Sequence, residues 1–216
     1  MENASSNDWT SNTLGVSLQN VRSHQSENPH EAHRCFFWRK LDQPGHDSCR
    51  LFKMPTGWVL RGAAVFQASG RPCHLQYEIV SDTAWKTRRA KVSGFVGNRA
   101  VEVRIRSVAK RHWIANGDRQ KGVEVCIDLE LGFTPATNLI AVRRLALEVG
   151  QKAEAPAAYL AFPKLRVEKL AQSYHRTGPT EFEYEAPSVG YKGKLVISKL
   201  GAVVRYPGLF EKVQSS

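Results

Sequence analysis

The sequence has little cysteine and no long apolar run. Its four cysteines, Cys35, Cys49, Cys73 and Cys126, form no Cys-x-x-Cys spacing, which excludes a disulfide-dense scaffold and predicts reduced thiols. No stretch approaches the ~18 consecutive apolar residues that a membrane-spanning helix requires. The first residues, MENASSNDWTSNTLG, lack the basic start and the apolar centre of a secretory signal. We therefore expect a cytoplasmic protein without a transmembrane segment.

The motifs that would indicate a cofactor are also missing. The chain has no glycine-rich phosphate loop, no heptad run and no internal repeat, so we predict no metal or nucleotide cofactor, and no oligomeric state is specified. A net charge of +11 makes polyanions candidate partners. The basic residues are scattered through strand-like segments, however, and do not form a long run of like charge. The charge therefore favours acidic ligands in general, and a nucleic-acid partner is disfavoured.

Composition divides the chain near residue 34. Residues 1–33 are rich in Ser, Asn, Gln and His and poor in large apolar residues. Such a segment cannot offset its ordering entropy, so we predict a disordered polar extension. From 34 to 216, short runs rich in β-branched and aromatic residues are separated by Gly, Pro, Asn and Asp. This pattern predicts one mainly β domain, with a large antiparallel sheet and few short helices.

Two runs show the alternation of a strand that has one apolar face. In Val101–Ser107, aliphatic residues alternate with charged ones, and in Val123–Leu131 they alternate with a polar set that includes Asp128 and Glu130. A sheet of this kind usually packs its apolar face on a core and exposes the other face to water. A partly closed barrel can instead turn its polar face inward around a ligand. Alternation alone leaves both arrangements open.

The segment CIDLELGFTPATNLIAVRRLAL contains a Cys-x-Asp-x-Glu strand, a Thr-Pro-x-Thr-Asn turn and an Arg-Arg-Leu strand. Upstream stands YEIVSDTAWKTRRAKVSG, and Tyr-Pro-Gly-Leu-Phe lies near the end of the chain. Together these segments resemble the bacterial putative glycolipid-binding family, over roughly residues 36 to 212. The resemblance implies a curved antiparallel sheet that forms a half-barrel, similar to lipoprotein carriers that hold acyl chains in the concave side. It implies no particular reaction.

Arg143 and Arg144 lie side by side in the apolar run that follows the turn. We predict a strand here, on which the two side chains point to opposite faces. Both faces are otherwise apolar, so at least one guanidinium should be removed from water and should need a carboxylate partner. A hairpin that turns at Thr134–Asn138 would place Asp128 or Glu130 opposite. Either the pair fixes the hairpin register, or one arginine faces a cavity and binds a phosphate or sugar head group.

Turn residues and aromatic residues are further candidates for contact with a ligand. Thr137 and Asn138 either build the turn or face the ligand. Trp85 would join Arg88, Arg89, Arg104 and Arg106 in a cationic wall with a flat face, if the strands that carry them pair. Trp113 offers a second flat face, with core packing as its alternative role. The complete set of candidate ligand-binding residues is Trp85, Arg88, Arg104, Trp113, Asp128, Thr137, Asn138, Arg143 and Arg144.

Three functions follow from these features. The favoured one is non-catalytic binding of a lipid or glycolipid in the concave face of the half-barrel. The alternative is an enzyme that acts on an acidic or sugar-bearing small molecule, with Asp128 or Glu130 as acid or base and Arg143 or Arg144 holding the anion. Nucleic-acid binding is supported by the net charge alone.

Overall fold

The structure is a computed structural model that describes residues 34–108 and 112–213. The extension predicted at 1–33 lies outside the described residues. The helix α1 (Asn138–Leu145) has eight residues, and no helix in the described part of the chain is long and apolar enough to cross a membrane. The strands are β1 Arg34–Lys40, β2 Gly45–Met54, β3 Gly57–Ala68, β4 Arg71–Asp82, β5 Thr87–Val96, β6 Arg99–Val108, β7 His112–Ala115, β8 Asp118–Gln120, β9 Asp128–Leu131, β10 Lys152–Glu154, β11 Ala157–Ala161, β12 Arg166–Leu170, β13 Ser173–Arg176, β14 Glu181–Ala186, β15 Tyr191–Ile197, β16 Val203–Tyr206 and β17 Phe210–Lys212.

Fourteen strands form one large antiparallel sheet, which confirms the predicted fold class. Their order is β10-β13-β14-β15-β16-β17-β1-β2-β3-β4-β5-β6-β7-β8. Most neighbours in this order are also consecutive in the chain, as expected for hairpins with short turns. The strands β12, β11 and β9 form a separate three-stranded sheet.

The large sheet curves around the segment 128–145, which lies on its inner face. The Leu129 N–H donates to Thr87 Oγ1 on β5 at 3.2 Å, and Asn138 Nδ2 donates to Tyr174 Oη on β13 at 2.9 Å. The strands β5 and β13 stand near opposite ends of the strand order. One short segment can touch both only if the sheet wraps around it. The result is the predicted half-barrel, which is not closed within the described residues.

The concave side of the half-barrel holds a protein core. Trp38 and Leu75 from the large sheet are buried in one cluster with Phe133 and Leu160 from the inner segments. Because the chain packs its own helix and small sheet against the concave face, that face is not an open trough for acyl chains. A ligand on this side must use the space left between the inner segments and the sheet.

The segment predicted as a strand after the Thr-Pro turn is the helix α1 instead. A short buried apolar run looks the same in a strand and in an enclosed helix, so periodicity could not distinguish them. All residues from Asn138 to Val142 are buried, as in a helix with protein on every side. Thr137 occupies the N-cap position, and the Ala, Leu and Arg residues that follow are strong helix formers.

The predicted hairpin between residues 126–130 and 140–146 is also wrong. Of the run Val123–Leu131, only Asp128–Leu131 forms a strand, and this strand β9 pairs in parallel with β11. All four residues of β9 are buried. The alternation of aliphatic and acidic residues does not separate core from solvent here, because β9 lies inside the half-barrel and is covered on both faces.

The other alternating run behaves as predicted. In β6, Val101, Val103 and Ile105 are buried, whereas Glu102 and Arg104 are exposed. The charged side chains of β6 and its neighbours therefore form the outer face of the sheet.

Candidate functional site

A cavity of about 270 Å³ lies between the inner segments and the strands β14 to β17. We call it the inner cavity. Four tyrosines and several aliphatic side chains form its walls, and a carboxyl, a hydroxyl and an amide supply polar atoms. Its lining includes Glu130, Thr134, Asn138, Tyr159, Leu170, Tyr184, Val189, Tyr191, Tyr206 and Leu209.

Glu130 contributes a buried carboxyl to the inner cavity. Its side chain comes from β9, and the residue is 5% exposed. The Thr137 hydroxyl accepts the Leu131 N–H at 3.4 Å and donates its own hydrogen to Glu130 Oε2. The other oxygen, Oε1, is itself buried, and the Gln172 side chain lies beside the carboxyl.

The protonation state of Glu130 follows from its burial. Burial raises the pKa of Glu130 to about 8, and the negative charge of Asp128 raises it further, against the lowering effect of hydrogen bonding from Thr137 and Gln172. At neutral pH the carboxyl is therefore mainly protonated. The neutral carboxyl keeps Oε2 as the acceptor from Thr137.

The tyrosines of the inner cavity hold one another and the surrounding polar groups in place. Tyr184 Oη donates to Gln172 Oε1 at 2.7 Å, and Tyr191 Oη donates to the Pro207 carbonyl at 3.0 Å. The rings of Tyr191 and Tyr206 meet edge to face, with centroids 4.9 Å apart. Fixed aromatic faces beside hydrogen-bonding groups suit the recognition of a ligand that has both apolar faces and hydroxyls.

A second buried carboxyl lies behind Thr134. Both oxygens of Asp47 accept hydrogen bonds from Tyr77 Oη at 3.0 Å, and one of them also accepts from the Thr134 hydroxyl. Burial raises the pKa of Asp47 to about 7, against the lowering effect of these hydrogen bonds. The Thr-Pro-Ala-Thr turn thus places one threonine hydroxyl on each of two buried carboxyls, Asp47 and Glu130.

Asp128 and Arg144 form a bidentate ion pair. Arg144 Nε donates to Asp128 Oδ1 at 2.7 Å, and Nη2 donates to Oδ2 at 2.6 Å. The exposed fractions of the two side chains are 14% for Arg144 and 0% for Asp128. Burial raises the pKa of Asp128, while the guanidinium lowers it. Pairing of Asp128 with one of the two arginines is as predicted, but the pair links β9 to α1 and leaves neither side chain on the wall of the inner cavity.

Arg143 and Trp85 belong to a separate cluster near the surface. The Arg143 guanidinium lies over the Trp85 ring, 5.4 Å from its centroid, and Trp85 stacks on Trp58 at 4.5 Å. Arg143 itself is exposed. The structure does not bring these residues together with Glu130.

The other candidates from the sequence lie apart from the inner cavity. Trp113 is fully buried and donates its Nε1 hydrogen to the Cys126 carbonyl at 3.1 Å, so it serves the core. Arg88 forms an ion pair with Asp82 at 2.8 Å. Arg104 stands on the outer face of the sheet. Two candidates lie at the inner cavity. Asn138 lines it and donates a hydrogen bond to Tyr174, and Thr137 donates a hydrogen bond to the Glu130 carboxyl.

Arg104 lines a groove on the outer face, which we call the outer groove. The strands β5 and β6 do pair, as the predicted cationic wall requires. The groove has a volume of about 830 Å³ and is lined by Glu78, Arg89, Lys91, Glu102, Arg104, Arg106, Ile114 and Asn116, among others.

Sequence reasoning did not select several residues of the inner site. Asp47 shares the buried side of β2 with Cys49 and Leu51, and an acid on an otherwise apolar strand face was the available signal. Tyr159 and Gln172 had no such signal. They reach the site only because β11 lies beside β9 inside the half-barrel.

Comparison with known proteins places the chain in a family. The family described as putative glycolipid-binding matches residues 35–212, and the chain belongs to it. The crystal structure of a DUF1089 family protein from Pseudomonas aeruginosa is similar, with a TM-score of 0.69 and 26% sequence identity. The similarity covers 77% of this chain and 92% of that one. No curated protein matches the chain.

Proposed function

We propose that the protein binds a lipid or glycolipid without catalysing a reaction on it, and that the inner cavity holds the polar head of this ligand. The observation that carries the proposal is the Glu130 carboxyl, mainly protonated at neutral pH, which lines a cavity walled by four tyrosines. Membership of the putative glycolipid-binding family supports the ligand class.

The chemistry of the cavity favours a neutral, hydroxyl-bearing head group such as a sugar. Its described lining includes no lysine or arginine, so an anionic group would enter without a counter-charge. The Glu130 carboxyl, mainly protonated at neutral pH, and the Asn138 amide are uncharged polar groups in the cavity lining, which suit a neutral ligand. Tyrosine faces complement the apolar faces of a sugar ring.

The size of the cavity limits what it encloses. Its volume of about 270 Å³ is below the ~300–1,000 Å³ of pockets that enclose a drug-sized molecule. The inner cavity therefore suits a head group, while the acyl part of a lipid would leave past the rim. Val189 lies at this rim and is 50% exposed.

The enzyme alternative receives less support from the geometry. Of the residues that it requires, only Glu130 lines the inner cavity. Asp128 and Arg144 are committed to each other, and Arg143 lies over Trp85. A binding role needs no second acid or base in the cavity.

The proposed compartment is the cytoplasm. All four cysteines are free thiols, and three of them are buried. Such usage is typical of proteins from reducing compartments.

Mass spectrometry of an organic extract from gently purified protein tests the proposal. We expect a lipid or glycolipid in wild type and a loss of most of it in Val189→Trp, which narrows the rim of the inner cavity. Val149→Trp is the matched control, because Val149 is 58% exposed and does not line the cavity. Wild type that carries no lipid, and that shows no thermal shift with a panel of lipids and glycolipids, would overturn the proposal.

A further inference from the structure

We propose that the outer face of the large sheet docks on an anionic lipid bilayer, using the outer groove for lipid head groups and an exposed apolar row for contact with the membrane interface. This surface is distinct from the inner cavity.

Like charges stand directly opposite each other in the outer groove. Arg89 pairs in register with Arg106, and Lys91 with Arg104. Directly opposed like charges destabilise a sheet. Two carboxylates lie nearby. Glu102 bridges to Arg104 at 2.6 Å, and Glu78 stands opposite Lys91 but bridges to Arg61 at 2.7 Å. Within the described residues no ion pair forms to Arg89 or Arg106, whose charges stay directly opposed. Opposed like charges that lower the stability of a sheet are expected where they bind an anionic partner.

The groove offers the chemistry that binds phosphate. Three guanidiniums and one ammonium converge on a space of about 830 Å³. Arginine presents parallel N–H donors that match two oxygens of a phosphate, and lysine adds a point charge. Ile114 supplies an apolar patch beside them.

A row of exposed apolar side chains, interleaved with two histidines, crosses the same face; we call it the apolar row. His46, Val65, His74 and Phe95 are successive cross-strand partners on β2, β3, β4 and β5, and Phe37 stacks on His46 with ring centroids 5.1 Å apart. The exposed fractions are 44% for Phe37, 57% for Val65 and 40% for Phe95. Exposed large apolar residues in a row mark an interaction surface.

The combination favours a bilayer over a nucleic acid. Proteins that bind single strands interleave aromatic platforms with the basic groove, whereas the described lining of the outer groove has no aromatic residue. Here the apolar row lies to one side of the charges, as on a surface that contacts lipid head groups and the interfacial region together. A protein that takes up a lipid must also meet the membrane that holds it.

Vesicle flotation with the full chain tests the proposal. We expect the protein to float with vesicles of phosphatidylcholine and phosphatidylglycerol but not with phosphatidylcholine alone, and to be partly released by salt. Arg89→Gln with Arg106→Gln should reduce the bound fraction several-fold. Lys152→Gln with Lys199→Gln is the charge-matched control at exposed sites outside the groove, and it should keep most of the binding. Val65→Ser with Phe95→Ser should also weaken binding, even at low salt.

Folding is checked separately. Relief of the like-charge pair should leave the melting temperature of the arginine variant equal to or above that of wild type. Equal flotation with neutral and anionic vesicles, or equal losses in the arginine variant and its control, would overturn the proposal. Tighter binding to RNA than to anionic vesicles would overturn it as well.

Discussion

The Thr137 hydroxyl donates its hydrogen to Glu130 Oε2 and accepts the Leu131 N–H at 3.4 Å. The backbone donor fixes the direction of the hydroxyl, so Oε2 of Glu130 is held as an acceptor. The relation joins the turn before α1 to the strand β9. It also links the fold to the proposed head-group site, since the same contact orients the carboxyl.

Glu130 makes stability depend on pH. Its pKa is about 8 in the folded protein, against an ordinary value of 4.5, so the folded state retains a proton that the unfolded state has lost. Stability from this group is complete below pH ~4.5 and is lost as pH rises toward ~8, by up to about 1.4 kcal/mol per pH unit. We expect Glu130→Gln, which cannot ionise, to flatten this dependence in urea unfolding measured from pH 5 to 9.

The matched control for that measurement is Glu154→Gln, at an exposed position on β10. It should leave the slope unchanged. A residual slope in Glu130→Gln is expected from Asp47, whose pKa is about 7. Identical slopes in wild type and Glu130→Gln would contradict the assignment of a raised pKa to Glu130.

The contribution of Thr134 to the free energy of unfolding should be largest when Asp47 is charged. Thr134→Val keeps the shape of the side chain but removes its hydrogen bond to the buried carboxylate and the acceptor of the Ala136 N–H at 3.0 Å, with an expected loss of about 1–3 kcal/mol in the free energy of unfolding. The part of the loss that depends on pH reports the bond to Asp47. The loss should be larger above pH ~7 than below it, because Asp47 ionises near there. Thr177→Val is the control, since Thr177 Oγ1 is buried without a hydrogen bond to the described residues. If both variants lose equal stability, the hydrogen bond to Asp47 is not the cause.

Arg144 and Arg143 should respond differently to the same substitution. Arg144→Met leaves Asp128 buried without its partner, which should lower the free energy of unfolding by about 3–5 kcal/mol at neutral pH. Arg143→Met removes only the contact with Trp85, worth about 1 kcal/mol or less at an exposed site. Chemical denaturation of both variants checks this contrast.

The double variant Asp128→Leu with Arg144→Met tests whether the unpaired charge of Asp128 causes the loss of stability in Arg144→Met. Replacement of a buried ion pair by apolar residues of similar size is often close to neutral, so most of the lost stability should return. If Arg144→Met alone is as stable as Arg143→Met, the pair does not hold α1 to β9.

The large sheet could be predicted from the sequence, whereas the inner segments could not. Side chains of the strands in the large sheet point alternately to the core and to solvent, as Val101 and Arg104 do in β6. The sequence indicates this because the buried positions are apolar and the exposed positions are charged. The strand β9 and the first five residues of α1, Asn138 to Val142, are buried on all sides. In these segments the pattern of polar and apolar residues does not indicate which side faces the core. Their contacts are set by the spatial order of the strands.

The same limit explains the outcome for the site. A buried arginine requires a carboxylate partner, and this rule predicted that Asp128 pairs with Arg143 or Arg144. It did not predict that Arg144 lies on a helix. Glu130 was named beside Asp128 as a possible acid or base, yet its tyrosine neighbours come from strands far along the chain. Tyr159 reaches Glu130 through the parallel pairing of β9 with β11, which no local pattern indicates.

The most direct test of the inner cavity is calorimetric titration with a short-chain alkyl glucoside and with the alkyl phosphate of the same chain length. It should be done below the Glu130 pKa of about 8, in wild type and in Val189→Trp. The proposed function predicts that the glucoside binds wild type, that Val189→Trp weakens this binding at least several-fold, and that any binding of the alkyl phosphate does not depend on Val189. Glucoside binding that Val189→Trp leaves unchanged, or alkyl phosphate binding that Val189→Trp weakens as much, would contradict a head-group site in the inner cavity.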